Sequence, residues 1–291
     1  MSGAADPLVD VIVVAYRSAP HLPALRAALA RQTCNAWRLI VWDNASPEHP
    51  ADPADLPAGA LLVSSKDNLG FAAGNNRAAA LGRAPFLAFL NPDAFPEPEW
   101  LQALLEAAQR WPQAAAFGSA QIWEEEPDRW DGLGDALFAA GIPYRAAYGR
   151  LRRGPAPQGE TFSACAAAML VRRAAFEAIG GFDEDLFCFG EDVDLGFRLR
   201  LAGRSVVQVG GATVAHVGGA STGRRSDFAD FHGVRNRLWV FVKNMPAPLF
   251  WPLLPLHLAL CLLLLAGYPL SGRGLAGWRG FWAGLRGLPA V

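Results

Sequence analysis

The chain has 291 residues, room for one large α/β domain and an appendage. Its apolar content of 52% is ample for a core, and a formal net charge of −1 argues against general nucleic-acid binding, which favours a clustered basic surface. Cys34, Cys165, Cys188 and Cys261 are scattered and form no C-x-x-C pair, which argues against a disulfide framework or a zinc site and reads as reduced cytosolic thiols.

The N-terminus lacks a basic n-region, and its first apolar run, Val9 to Tyr16, is too short for a signal sequence and flanked by Asp6 and Asp10. The folded part is therefore expected in the cytoplasm. Val9–Ala15 is a continuous apolar, mostly β-branched run broken only by Asp10, as in a strand buried on both faces. Residues 21–32 carry Leu22, Leu25 and Leu29 at helical spacing, and 38–42 form a second buried strand ending at Asp43. Residues 47–60, rich in Pro, Ala and Asp, are a loop, and 61–64 a short third strand. A helix over 72–81, a strand over 86–90, a helix over 98–110 with Pro98 in its first turn, and a strand over 115–121 follow. The stretch 122–160 is irregular and rich in Trp, Gly and Pro. Beyond it lie a strand over 161–171, an acidic loop and helix over 180–203, and two closing strands over 205–209 and 212–216. This β-α alternation calls for a mainly parallel, doubly wound sheet, whose ligands bind at the carboxyl ends of the strands. Asp43, Asn68 and Asn91-Pro92-Asp93 all fall just after predicted strands.

The stretch 180–198 holds six acids, Asp183, Glu184, Asp185, Glu191, Asp192 and Asp194, among Phe and Gly. One or two acids serve a helix N-terminus; six exceed that need. Glycosyl transfer requires a positioned carboxylate to take the proton of an acceptor hydroxyl. Three islands suit the same chemistry: Val11-Ile-Val-Val-Ala-Tyr-Arg-Ser18, Val41-Trp-Asp-Asn-Ala-Ser46 and Phe89-Leu-Asn-Pro-Asp-Ala94. With Asn68-Leu-Gly-Phe-Ala-Ala-Gly-Asn-Asn76 and Ala215-His-Val-Gly-Gly-Ala-Ser221, they make the chain resemble a family 2 glycosyltransferase of the GT-A fold. Its pattern is similar to the branch of bacterial rhamnosyltransferases that build surface polysaccharides, over roughly residues 8–245.

The resemblance implies a Rossmann-like, mainly parallel sheet with helices on both faces. Residues 8–121 would form the nucleotide-binding half, 122–245 the acceptor and catalytic half, and 246–291 an apolar helical tail. It places donor contacts at Ala15, Tyr16, Asp43, Asn68, Gly70, Asn75, Asn91 and Asp93, with Asp43 reading the base imide. A turn residue is the plain alternative for Asp43. Asn91-Pro92-Asp93 stands where most GT-A enzymes carry Asp-x-Asp, so Asp93, completed by His216, is the expected ligand set for Mg²⁺ or Mn²⁺. Asp192, beside Glu191, is the expected catalytic base. Trp130 and Asp131 lie where such enzymes build the acceptor side; an ordinary packed Trp is equally compatible. The basic segment 232–237 could face a diphosphate, lipid headgroups, a lipid-linked acceptor's phosphate, or simply solvent.

No Asp, Glu, Lys or Arg occurs between Lys243 and Arg273, but Pro252 and Pro255 are expected to break the run, leaving 256–268 too short to span a bilayer. Arg273, Arg279 and Arg286 alternate with Trp278, Phe281 and Trp282, which suits a membrane interface. The expectation is an inverting, metal-dependent transferase at the inner face of the cell membrane, moving rhamnose from dTDP-rhamnose to a glycan or lipid-linked acceptor. UDP- and GDP-sugars stay open as donors. A sugar nucleotidyltransferase and a nucleotide-sugar-binding membrane scaffold are the rival classes.

Overall fold

The computed structural model describes residues 6–219, 226–269 and 274–288. The chain opens with β1 (Val9–Ala15), α1 (Leu22–Ala30), β2 (Trp37–Asp43), β3 (Leu61–Ser64), α2 (Gly70–Ala79), β4 (Phe86–Leu90), β5 (Ala94–Pro96), α3 (Trp100–Arg110) and β6 (Ala114–Trp123). Four short strands come next: β7 (Trp130–Gly132), β8 (Asp135–Phe138), β9 (Ile142–Arg145) and β10 (Gly159–Thr161). Then follow β11 (Ala168–Arg172), α4 (Arg173–Ala178), α5 (Glu191–Leu201), β12 (Ser205–His216), α6 (Asp227–Asn244), α7 (Ala247–Ala266) and α8 (Ala276–Gly287).

The main sheet runs β10-β12-β6-β11-β4-β1-β2-β3. Strands β3, β2, β1 and β4 are parallel, β6 and β12 are parallel, and β11 runs against both its neighbours. The carboxyl ends of the parallel strands, and the segment entering β11, therefore share one edge. Val9, Val11 and Val13 of β1 pack under α1 and α3, while Ile12 packs with α2, α4 and α5 on the other face. The exception in β1, Asp10, is fully buried because Arg38 (2.5 Å), Arg173 (2.6 Å) and the Ala84 amide (2.9 Å) surround its carboxylate.

Several expected elements are redrawn. Helix α3 starts only at Trp100, because the Pro98 carbonyl accepts the Thr33 amide (2.9 Å) and Pro98 stays outside the helix. The stretch 122–160 holds a hairpin, β8–β9, and two strands that pair with β6 and β12. The expected strand over 161–171 begins only at Ala168; residues 163–167 instead pass beneath the helix α5 start. The two closing strands are one, β12, with a register shift between Val209 and Thr213 where Gly210 and Gly211 permit a bulge. Helix α7 continues through Pro252 and Pro255 over 20 residues, since proline's φ is itself helical and each ring removes only one backbone donor.

Helices α7 and α8 dock on α6. Val234, Cys261, Leu265, Tyr268 and Phe281 share a core, and the Trp239 indole donates to the Gly284 carbonyl (2.9 Å). Gly280 lets α8 approach the Phe231 backbone at a distance no Cβ would tolerate.

Candidate active site

A cavity of about 760 Å³ opens at the shared strand edge. Tyr16, Asn68, Gly70, Asn91, Asp93, Asp131, Glu191, Asp192 and His216 line it together. Ala15, expected as a donor contact, is buried and does not line it. Asp43 is 1% exposed and does not line it; its carboxylate accepts the Ser46 (2.9 Å) and Ala51 (2.5 Å) amides and so shapes the 44–51 loop. Asn75 is likewise 1% exposed, donating to the Phe71 carbonyl (2.9 Å) inside α2. Trp130 is 7% exposed, with Arg152 over its ring at 4.9 Å. Ala220, Ser221 and Arg273 lie outside the described residues.

On one wall, His216 ends β12. Its Nδ1 lies 2.8 Å from Asp131 Oδ2, and its Nε2 lies 3.4 Å from Asp93 Oδ1 and 3.4 Å from the Asn91 amide nitrogen. Burial alone would lower its pKa, but the hydrogen bonds and charges of Asp131 and Asp93 outweigh that and raise it to about 9. The site is thus built for one positive charge between two carboxylates. A divalent cation can take the place of the Nε2 proton, with Asp131 fixing the ring from behind, as second-shell carboxylates do in metal sites.

The opposite wall is α5 and its approach. Asp192 Oδ2 accepts the Ala166 amide (3.1 Å), Oδ1 accepts the Val193 amide (2.8 Å), and the Asp192 carbonyl accepts the Ser163 hydroxyl (2.5 Å). Burial and then the neighbouring Asp192 charge push Glu191 up to about 8, and its Oε2 meets no donor among the described residues. Asp135, raised to about 8 by burial and Asp192, approaches Asp192 and Cys165, with ligand atoms within 4.8 Å of one another. That cluster suits a hard cation less well than Asp93 and His216. Burial raises the Cys165 thiol far above its ordinary value, and Arg145 already donates to its sulfur (2.8 Å) and to Asp131 (3.0 Å).

The acidic loop before α5 is held under strain. Phe187 and Phe189 have φ of 63° and 71°. Asn236 of α6 answers with its amide nitrogen 2.8, 2.9 and 2.6 Å from the carbonyls of Leu186, Cys188 and Phe189. The Phe187 carbonyl in turn accepts the Phe71 (2.7 Å) and Ala72 (3.2 Å) amides at the start of α2. The loop thereby ties the two walls together.

Comparison with known proteins decides what the site belongs to. The family model for glycosyl transferase family 2 matches residues 10–180. The chain belongs to that family. This glycosyltransferase is 32% identical, over 84% of its length and 89% of the relative's, to the N-acetylglucosaminyl-diphospho-decaprenol L-rhamnosyltransferase of Mycobacterium tuberculosis. It is 36% identical to the O-antigen biosynthesis protein RfbC of Myxococcus xanthus, over 53% of the chain and 12% of that protein. Among solved structures, mannosyltransferase PcManGT from Pyrobaculum calidifontis, in complex with GDP-Man and Mn²⁺, aligns over 97% of this chain and 81% of its own at a TM-score of 0.60 and 16% identity. GalNAc-T7 with UDP, GalNAc and Mn²⁺ aligns over 79% and 47% at a TM-score of 0.60 and 12% identity. Both carry the GT-A fold.

Sequence reasoning missed several residues of the transferase cavity. Asn44 donates to Asn68 Oδ1 (2.8 Å) and the Gly70 carbonyl (3.0 Å) and accepts the Leu69 amide (2.9 Å), organising the loop into α2. Its signal was its place right after a strand-ending Asp. Asp135 and Arg145 are register partners across β8–β9, a pairing no local pattern announces.

Proposed function

We propose that this family 2 glycosyltransferase transfers rhamnose from dTDP-rhamnose to a sugar on a diphosphate-linked polyprenol, with inversion, in cell-surface polysaccharide synthesis. The observation that carries the reaction is one cavity with Asp93 and His216 on one wall and Asp192 on the other. The donor sugar and the lipid acceptor are carried over from the mycobacterial relative, matched along most of both chains.

In this mechanism Asp192 accepts the proton of the acceptor hydroxyl as that oxygen attacks the anomeric carbon. The new oxygen–carbon bond forms as the bond to the nucleotide diphosphate breaks. One displacement inverts the anomeric centre, the geometry of a single-step glycosidase with a sugar hydroxyl in place of water. Asp93 and His216 would hold Mg²⁺ or Mn²⁺, which when bound neutralises charge on the departing diphosphate. Asp131 positions His216 through Nδ1 and is itself held by Arg145 and the Trp123 indole (3.0 Å). Asn68 and Tyr16 face the donor; Asp43, whose two oxygens accept the Ser46 and Ala51 amides, acts by shaping the loop rather than by touching the base.

The tail supports a cytoplasmic transferase at the membrane. Helix α7 is long and apolar enough to cross a bilayer by length and composition alone. Trp251 is 72% exposed and Leu263 67%, which suits a helix lying on or dipping into lipid. Residues 8–245 then act as the transferase unit and 246–291 as its membrane contact.

The test is thermal-shift binding of dTDP, UDP and GDP, each with and without Mn²⁺, to wild type and Asp93→Ala. A metal-dependent shift for dTDP that the variant loses is the expected result. A shift for GDP or UDP alone would reject the rhamnose donor, and no shift for any nucleotide would reject the donor site.

A further inference from the structure

Helix α6 spends two of its basic-segment residues on structure. Arg235 donates to the carbonyls of Asp185 (3.2 Å) and Leu186 (2.9 Å), and Asn236 clamps the strained loop. Arg237 does neither. Its side chain lines the active-site cavity, and its Nε and Nη1 are shut off from solvent without an acceptor among the described residues. Its neighbours on α7 are His257 and Cys261. Neither brings a negative charge: the imidazole Nδ1 lies 2.8 Å from the Ala140 carbonyl, and the buried thiol faces its Nε2 at 3.5 Å.

A guanidinium is always charged and offers five donors in a planar fork, so burying it with donors unmet is unfavourable unless a ligand supplies the acceptors. Gly233, four residues earlier and so on the same helix face, also lines the cavity, and a side chain there would meet nothing within 4 Å. The helix face beside Arg237 is therefore an open trough. It lies where the cavity meets the helices that carry the apolar tail.

We propose that Arg237 binds the phosphate oxygens of the lipid-linked acceptor. The guanidinium fork matches two phosphate oxygens at once. An acceptor with a diphosphate between its sugar and an isoprenoid chain needs a cation between the catalytic cavity and the membrane face, and Arg237 stands at that junction. The donor diphosphate is the other source of the same chemistry. The inference rests on the lipid-linked-acceptor reading above.

The experiment measures binding of farnesyl diphosphate, a short isoprenyl diphosphate, and of dTDP with Mn²⁺, to the full chain and to Arg237→Met. Charged hydrogen bonds of this kind predict a loss of about ten- to a hundredfold for farnesyl diphosphate. The Kd for dTDP should stay within about twofold of wild type. Because Nε and Nη1 lack an acceptor among the described residues and the remaining contact, with the Cys261 thiol, brings no negative charge, the Tm of Arg237→Met should equal or exceed wild type. A loss confined to dTDP would move Arg237 to the donor and overturn the assignment. Unchanged affinity for both, or a clear fall in Tm that marks Arg237 as a structural cation, would also overturn it. Wild type that binds farnesyl diphosphate through Arg237 but transfers no sugar to a lipid-linked acceptor would reject the proposed function, and with it the acceptor role of Arg237, leaving only an isoprenyl-diphosphate site.

Discussion

Partners sort the six acids of the 180–198 stretch. Asp183 and Asp185 pair with Lys243, Glu184 with Arg77 (3.1 Å), and Asp194 with Arg198 (2.5 Å) and Asn244 (2.7 Å). Glu191 and Asp192 are the two that line the cavity. Asp192→Asn keeps the shape of the side chain and removes the base, so kcat should fall by about 10² to 10⁴. Nucleotide binding should be unchanged, and wild-type kcat in that variant would remove Asp192 from the role. Glu191 titrates at about 8 in the fold against an ordinary 4.5, because burial and Asp192 disfavour its charge. Between those values the folded chain holds a proton the unfolded chain has released, so stability falls as pH rises through that window. Glu191→Gln removes the dependence; its Tm advantage over wild type should be small at pH 5 and larger at pH 8, and a gain that shrinks over that range contradicts the assignment. That Asp93, His216 and Asp192 would meet at one cavity was legible from the motifs that carry the family resemblance, which fall after predicted strands or at a predicted helix start. Asp135 and Arg145 were not, since hairpin register alone brings them together.

The loop linking the two walls is the sensitive element. Gly70 has φ +81°, and a Cβ there would lie 2.5 Å from the Phe187 ring and 2.6 Å from the Phe187 carbonyl that caps α2. Gly70→Ala should destabilise the fold by about 1–3 kcal/mol through strain and lost capping, read as a lower Tm and weaker nucleotide binding. A wild-type Tm would show that α2 does not depend on this contact. Long periodic elements such as α1, α2 and the buried strands were readable because local hydrophobic spacing alone specifies them. The strands within 122–160 were not, because edge pairing with β6 and β12, rather than local propensity, makes them strands. Pro252 and Pro255 misled in the other direction, since proline's missing donor weakened α7 without ending it.

At the scale of the molecule, the transferase sheet and the apolar tail meet on α6, which clamps the acidic loop on one side and carries α7 and α8 on the other. Trp251 and Leu263 point away from that core. Replacing both by Glu should move the protein from the membrane pellet to the soluble fraction with the Tm of the transferase domain preserved, because neither side chain supports the fold. Undiminished pelleting would place the membrane contact elsewhere. The doubly wound architecture was legible as a whole from strand-helix alternation, but the reversal of β11 between β4 and β6 was not, and it is β11's entry that delivers Cys165, Ala166 and Ala167 to the cavity. The central claim, one in-line displacement with Asp192 as base, is tested most directly by the anomeric configuration of the product. The NMR one-bond C–H coupling at the transferred sugar should report the configuration opposite to that of the nucleotide-sugar donor. Retention of the donor's configuration would contradict the account.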